Sequence, residues 1–279
     1  MSSTRSRRIH IQCPNESDRS YLAAVTDLVL ERYDGRGPQW QLAASLTIWP
    51  LSLGGRAGVV GVSIENRTCC VKLFYDRRWI TRWRTFFGHA KGKTAYRHAC
   101  RLQEHHVTCP TPLGYAEKRP IGPVLVVTEL IADGQRLDHW IQTHGTTLPL
   151  IEALAKSLRH MHDSGITHSD LSPRNLLVRP GEVAPLPYLL DYEDARFHGR
   201  IAKDARLEDL HHLDERMLHV TTLHERILFL RYYAGPAYKD YCRVLGEKIL
   251  KSQSKYVRAY RSEVRKQAIN PHPLKKSDR

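Results

Sequence analysis

The sequence is short of acidic side chains. Its 29 Asp and Glu stand against 43 Lys and Arg, a formal net charge of +14 over 279 residues with 16 His besides. Such a surplus argues for an anionic partner: nucleic acid, a phosphorylated small molecule or an anionic lipid surface. Long apolar runs are also missing. The longest stretches, Tyr21–Leu30 and Ile121–Ala132, are too short and too interrupted to span a bilayer. The basic start (Arg5, Arg7, Arg8) runs into a polar segment rather than an apolar one, so no secretory signal is expected. The six cysteines (Cys13, Cys69, Cys70, Cys100, Cys109, Cys242) include no Cys-x-x-Cys pair. They read as reduced thiols of a cytosolic protein rather than as a disulfide scaffold. No G-x-S-x-G or H-E-x-x-H occurs, which leaves hydrolase readings without a nucleophile or a metal site. His105-His106 near Cys109, and His211-His212 near His219, lack standard zinc-ligand spacing.

What is present is ordered along the chain. Leu46–Trp49, Val59–Ile64 and Cys70–Tyr75 are short β-rich runs broken by glycines and by Glu65-Asn66-Arg67, the pattern of a small antiparallel sheet. Thr94–His106 carries Ala95, Ala99 and Leu102 at helical spacing, and Pro110 and Pro112 follow as a stop. Val124–Leu130 reads as a buried strand. Leu150, Ile151, Leu154, Leu158 and Met161 form one stripe of a helix that ends at Gly165, and Leu207–Lys266 reads as helical. The expected fold class is α+β and bilobal. Residues 1–20 are expected as a flexible basic tail, 21–130 as the β-rich N-lobe, 131–267 as the helical C-lobe and 268–279 as a basic C-terminal tail.

The strongest chemical signal is Gly165-Ile166-Thr167-His168-Ser169-Asp170-Leu171-Ser172-Pro173-Arg174-Asn175-Leu176. It fits the kinase catalytic-loop pattern H-x-D-L-x-x-x-N, with Ser169 where protein kinases place Arg. Phosphoryl transfer asks an enzyme mainly to position reactants and neutralise charge. Asp170 is the candidate base that orients the attacking hydroxyl and accepts its proton. Asn175, five residues on, is a candidate Mg2+ ligand through its amide oxygen. Downstream, apolar residues run into Asp191, which puts a carboxylate at a strand end where the kinase D-F-G carboxylate holds metal; Tyr192 keeps the aromatic and Glu193 replaces the Gly. Lys72, centred in a β-rich run, is the candidate grip on the ATP α/β-phosphates. Gly54, Gly55 and Gly58 are candidates for a phosphate-covering turn, although the segment does not match G-x-G-x-x-G. Glu129-Leu130, after the buried strand, would offer backbone groups to adenine.

On these motifs the chain resembles the protein-kinase-like superfamily, and within it the bacterial lipopolysaccharide core (Kdo and heptose) kinases, from about Leu46 to Tyr233. Leu189–Arg196, Pro110-Thr111-Pro112, Arg206–Leu213 and Phe229–Tyr233 are similar to that family's segments. The resemblance implies ATP and Mg2+ in an interlobe cleft. It implies as acceptor a sugar hydroxyl of lipid-linked anionic saccharide, the lipopolysaccharide core. It also implies a cytoplasmic protein working at the inner face of the membrane. One departure stands out: the helix Glu that pairs with the strand Lys in kinases would fall near His98, so either another carboxylate meets Lys72 or the pair is absent.

Between that strand and the helix, Arg77–Phe87 interleaves four Arg with two Trp and two Phe. Beside a kinase cleft this suits an anionic membrane surface better than nucleic acid. Two rival readings are a Ser/Thr protein kinase, against which stands the lack of A-P-E after Asp191, and a catalytically weak nucleotide-binding pseudokinase, for which the missing helix Glu and the Glu193 substitution speak.

Overall fold

A computed structural model describes residues 9–31, 48–53, 57–64, 66–74, 91–118, 123–181 and 184–252. Strands β1 (Ile9–Gln12), β2 (Ile48–Leu53), β3 (Ala57–Ile64), β4 (Arg67–Phe74), β5 (Pro112–Lys118) and β6 (Val124–Glu129) form one sheet in the order β1-β5-β6-β4-β3-β2. Every neighbouring pair is antiparallel. The β3–β4 hairpin closes from Ile64 opposite Arg67, with Asn66 at φ 65°. Asn tolerates the left-handed region that a tight hairpin demands.

Strand alternation sorts the side chains of β4 between two faces. Cys69, Val71 and Leu73 are fully buried on one. They meet the stripe Leu22, Val25, Thr26 and Val29 of helix α1 (Arg19–Glu31), the i, i+3, i+4, i+7 spacing of an amphipathic helix. Phe74 lies on the other face, where helix α2 (Lys91–Glu104) packs Ala95 and Tyr96 against it and against Tyr115, Val124 and Val126. Lys72, two residues before Phe74, shares that face. It therefore points to the helix side of the sheet by the period-two rule alone.

The region expected as a tail is structured from residue 9 onward. Ile9 and Ile11 pack against the same core as α1, and β1 pairs along β5 from Ile9↔Lys118 to Gln12↔Tyr115. Two isoleucines among polar residues give no tail signature once an edge strand takes them up. Pro112, read as part of a helix stop, opens that partner strand.

Past β6 the chain crosses into the second lobe. Helices α3 (Leu137–His144), α4 (Leu148–Asp163), α5 (Lys203–Met217), α6 (Leu223–Ala234) and α7 (residues 238–252) surround one apolar core. The start of α4 has Thr147 as N-cap, accepting from the Leu150 N–H, and the start of α6 has a capping box made by Thr222 and Glu225. Short strands interrupt the helices. β7 (Gln135–Arg136), β9 (Leu176–Arg179) and β10 (Leu186–Leu189) form one small sheet; β8 (Ile166–Thr167) and β11 (Arg196–Phe197) form another. These ribbons carry the motif residues. The result is the α+β, bilobal arrangement read from the sequence.

Candidate active site

The loop between β8 and β9 is shaped by backbone constraints that the sequence supplies. Helix α4 ends at Ser164, and Gly165 reverses the chain at φ 80°, where an added Cβ would lie 2.2 Å from the His198 carbonyl oxygen. Ser169 also takes a positive φ, 68°. Leu171 anchors the loop, fully buried, and Pro173 opens a single 3-10 turn to Asn175.

Within this loop Asp170 and Asn175 touch. Asn175 Nδ2 donates to the Asp170 carbonyl at 2.9 Å and to Asp170 Oδ2 at 3.3 Å, which turns the amide oxygen the other way. The loop is then tied to the segment that carries Asp191 through one residue, Leu190. Its N–H donates to the Asn175 carbonyl at 2.8 Å, and its carbonyl accepts from His168 Nε2 at 2.8 Å. A carbonyl only accepts, so Nε2 carries the proton. His168 Nδ1 is thereby free to accept the Asp170 N–H at 3.3 Å. One fully buried imidazole thus ties Asp170 to the residue before Asp191. Asp191 follows in the left-handed region at φ 58° and opens the 3-10 turn Tyr192–Asp194.

Lys72 reaches this turn from the other lobe. Its Nζ meets Asp191 Oδ1 and lies 2.6 Å from Glu193 Oε1. Burial disfavours the ammonium, but the Glu193 and Asp191 charges outweigh it and raise the Lys72 pKa. His98, where kinases carry the helix Glu, makes a different contact: its Nδ1 lies 2.9 Å from the Tyr192 carbonyl, which makes Nδ1 the donor. Of the two possibilities raised for Lys72, another carboxylate pairs with it. Glu193 in the D-F-G Gly position was noted in the sequence only as a departure; its equivalence to the helix Glu is visible only in three dimensions.

The other expected site residues fall as follows. Glu129 and Leu130 lie at the end of β6, where the chain leaves the sheet; the Glu129 N–H is taken by the Thr111 carbonyl at 2.9 Å. Its carbonyl accepts the Thr128 hydroxyl at 3.2 Å and keeps a second lone pair. Gly58 sits inside β3 opposite Leu73, next to the Val59↔Lys72 pair. Gly54 and Gly55 lie outside the described residues, and so does Arg77–Phe87. Among the described residues, no three or more His, Cys, Asp and Glu side chains cluster as a metal site. All six cysteines are free.

One determinant went unread in the sequence. Asp209 of α5, only 2% exposed, accepts the His168 N–H at 2.6 Å and the Ser169 N–H at 2.9 Å. Buried His162 donates Nε2–H to the same carboxylate at 3.3 Å, and its Nδ1 lies 2.6 Å from the Tyr233 hydroxyl. Burial would raise the Asp209 carboxyl, but the hydrogen bond from His162 and those two N–H groups lower its pKa. Asp209 stood inside a segment similar to the kinase family, yet nothing in its spacing marks it as the clasp of the Asp170 loop.

A search of solved structures relates the chain to WaaP in complex with acyl carrier protein, with a TM-score of 0.60 and 18% identity over 88% of this chain and 98% of that one. None of the curated proteins matches the sequence. The fold is that of the kinase-like phosphotransferases. The family model for the lipopolysaccharide kinase (Kdo/WaaP) family matches residues 74–233, which is 160 of 279 residues, and the chain belongs to that family. It is a kinase.

Proposed function

We propose that this enzyme transfers the γ-phosphoryl group of ATP, with Mg2+, to a sugar hydroxyl of lipopolysaccharide core at the inner face of the membrane. The observation that carries the reading is the unbroken run of contacts Asp170–Asn175–Leu190 and Asp191–Lys72, which joins both lobes around one cleft.

In this reading Asp170 orients the acceptor hydroxyl and takes its proton. Its carboxylate is 60% exposed, so an incoming saccharide has access to it. The Asn175 amide oxygen and the Asp191 carboxylate would hold Mg2+. The donor set fits, since Mg2+ prefers one or two protein oxygens with phosphate and water completing its shell. When bound, the ion neutralises phosphate charge. Lys72 exchanges its Asp191 contact for the α/β-phosphates while Glu193 keeps hold of it. The second lone pair of the Glu129 carbonyl would accept from adenine. The +14 surplus and the Arg-rich, aromatic stretch Arg77–Phe87 support residence on an anionic membrane surface; no helix among the described residues is long and apolar enough to cross a membrane.

The Lys72–Glu193 pair favours an active kinase over a pseudokinase, because it supplies the ion pair that His98 cannot. Radiolabelled ATP offered with purified lipopolysaccharide, and separately with a generic protein acceptor, tests this. Label should enter the lipopolysaccharide and vanish in Asp170→Asn, a loss of about 10²-fold or more. Label only in protein would establish the protein-kinase alternative, and nucleotide binding without transfer the pseudokinase.

A further inference from the structure

Helix α5 addresses the catalytic loop at two points. Asp209 holds the His168 and Ser169 N–H groups from behind. Arg216 lies seven residues on, two turns later and on the same face. Its Nη1 donates to Asp170 Oδ1 at 2.9 Å. Asp170 Oδ2 meanwhile takes Asn175 Nδ2. Both oxygens of the residue that would receive the acceptor's proton are therefore engaged, one of them by a guanidinium.

This pair does little for stability. Arg216 is 49% exposed and Asp170 60%, and ion pairs so exposed contribute little. Its position suits another task. The cleft carries the carboxylates Asp170, Asp191 and Glu193, of which the last two share Lys72. A triphosphate adds more negative charge. An acceptor that itself carries a carboxylate or a phosphate would be repelled unless a cation stood on its side of Asp170. Arginine suits that place: it stays charged, and its planar fork of N–H donors matches a carboxylate or a phosphate.

Building on the kinase reading above, we infer that Arg216 is an acceptor-recognition residue. Its guanidinium, seated on Asp170 in the structure, takes the carboxylate or phosphate that flanks the accepting hydroxyl. That move frees Asp170 Oδ1 and brings the hydroxyl beside it. Arg216 thus positions the acceptor and selects its class: a sugar hydroxyl with an anionic neighbour. A neutral sugar leaves the guanidinium on Asp170 and is a poor acceptor.

The test uses the full chain with ATP and core oligosaccharide freed from lipopolysaccharide by deacylation. The oligosaccharide is supplied in three forms: native, stripped of phosphate, and with its carboxyls reduced to alcohols. KM for ATP and for oligosaccharide are measured separately, with calorimetric binding of the oligosaccharide alongside, for the wild type, Arg216→Gln and Arg216→Lys. Arg216→Gln should raise the oligosaccharide KM and Kd tenfold or more and leave the ATP KM unchanged, with Arg216→Lys in between. The treatment that weakens the wild type, and no longer matters to Arg216→Gln, shows whether phosphate or carboxylate is read. An unchanged oligosaccharide KM in Arg216→Gln, or a raised kcat without a KM change, sinks this inference alone. A wild type that neither binds nor phosphorylates the oligosaccharide sinks the lipopolysaccharide-core reading with it.

Discussion

Glu193 Oε1 lies 2.6 Å from Lys72 Nζ, so a carboxylate from the helical lobe performs the pairing that kinases assign to a helix of the other lobe. The swap is local and has a steric logic. With His98 donating to the Tyr192 carbonyl, α2 docks directly on the turn that carries Glu193, and the lysine finds its partner there.

Replacing Glu193 with Gly, the residue usual at this place in kinases, should therefore loosen Lys72. A hydrogen bond to a charged group contributes about 1.5–3 kcal/mol, so the KM for ATP should rise by roughly ten- to a hundredfold. Steady-state kinetics at varied ATP would show it. An unchanged KM would mean that Asp191 alone suffices to hold the lysine.

His168 makes a second prediction. Phe in its place keeps the apolar fit but leaves the buried Leu190 carbonyl without its donor, which should cost roughly 1–3 kcal/mol. Because Leu190 precedes Asp191, kcat should fall more than the acceptor KM changes. Thermal unfolding read beside kinetics separates the two effects.

Acid pH probes the Asp209 clasp. A carboxyl whose pKa is depressed in the folded state contributes fully above its unfolded value, about 3.9, and loses that contribution as pH falls through the lower folded value. Asp209 is such a group. Relative to Asp209→Asn, the wild type should be more stable at pH 7 and should give up that advantage progressively below about pH 5. Denaturant midpoints across pH would reveal parallel curves if the carboxylate charge were irrelevant.

Gly165→Ala confronts a left-handed φ of 80° and the His198 carbonyl oxygen 2.2 Å from the new methyl. A loss of roughly 1–3 kcal/mol is expected, visible as a lowered melting temperature. A melting temperature equal to the wild type would show that the loop relaxes without cost.

Much of this was legible in one dimension. The alternation around Lys72, the stripe from Leu150 to Met161, Gly165, and the spacing from Asp170 to Asn175 are local regularities, and helices and strands express local regularities directly. The edge strand Ile9–Gln12 was not legible, because two isoleucines gain meaning only when β5 lies alongside.

By itself, then, the sequence determined the two-lobed order of elements and the loop that carries Asp170 and Asn175, since period and spacing are properties of the chain. Only the tertiary structure decided which carboxylate meets Lys72, which side chain clasps the loop, and which cation rests on Asp170. Those three answers join residues 121, 41 and 46 positions apart. No local rule reaches that far; packing of the two lobes and of α5 brings those charges within hydrogen-bonding distance.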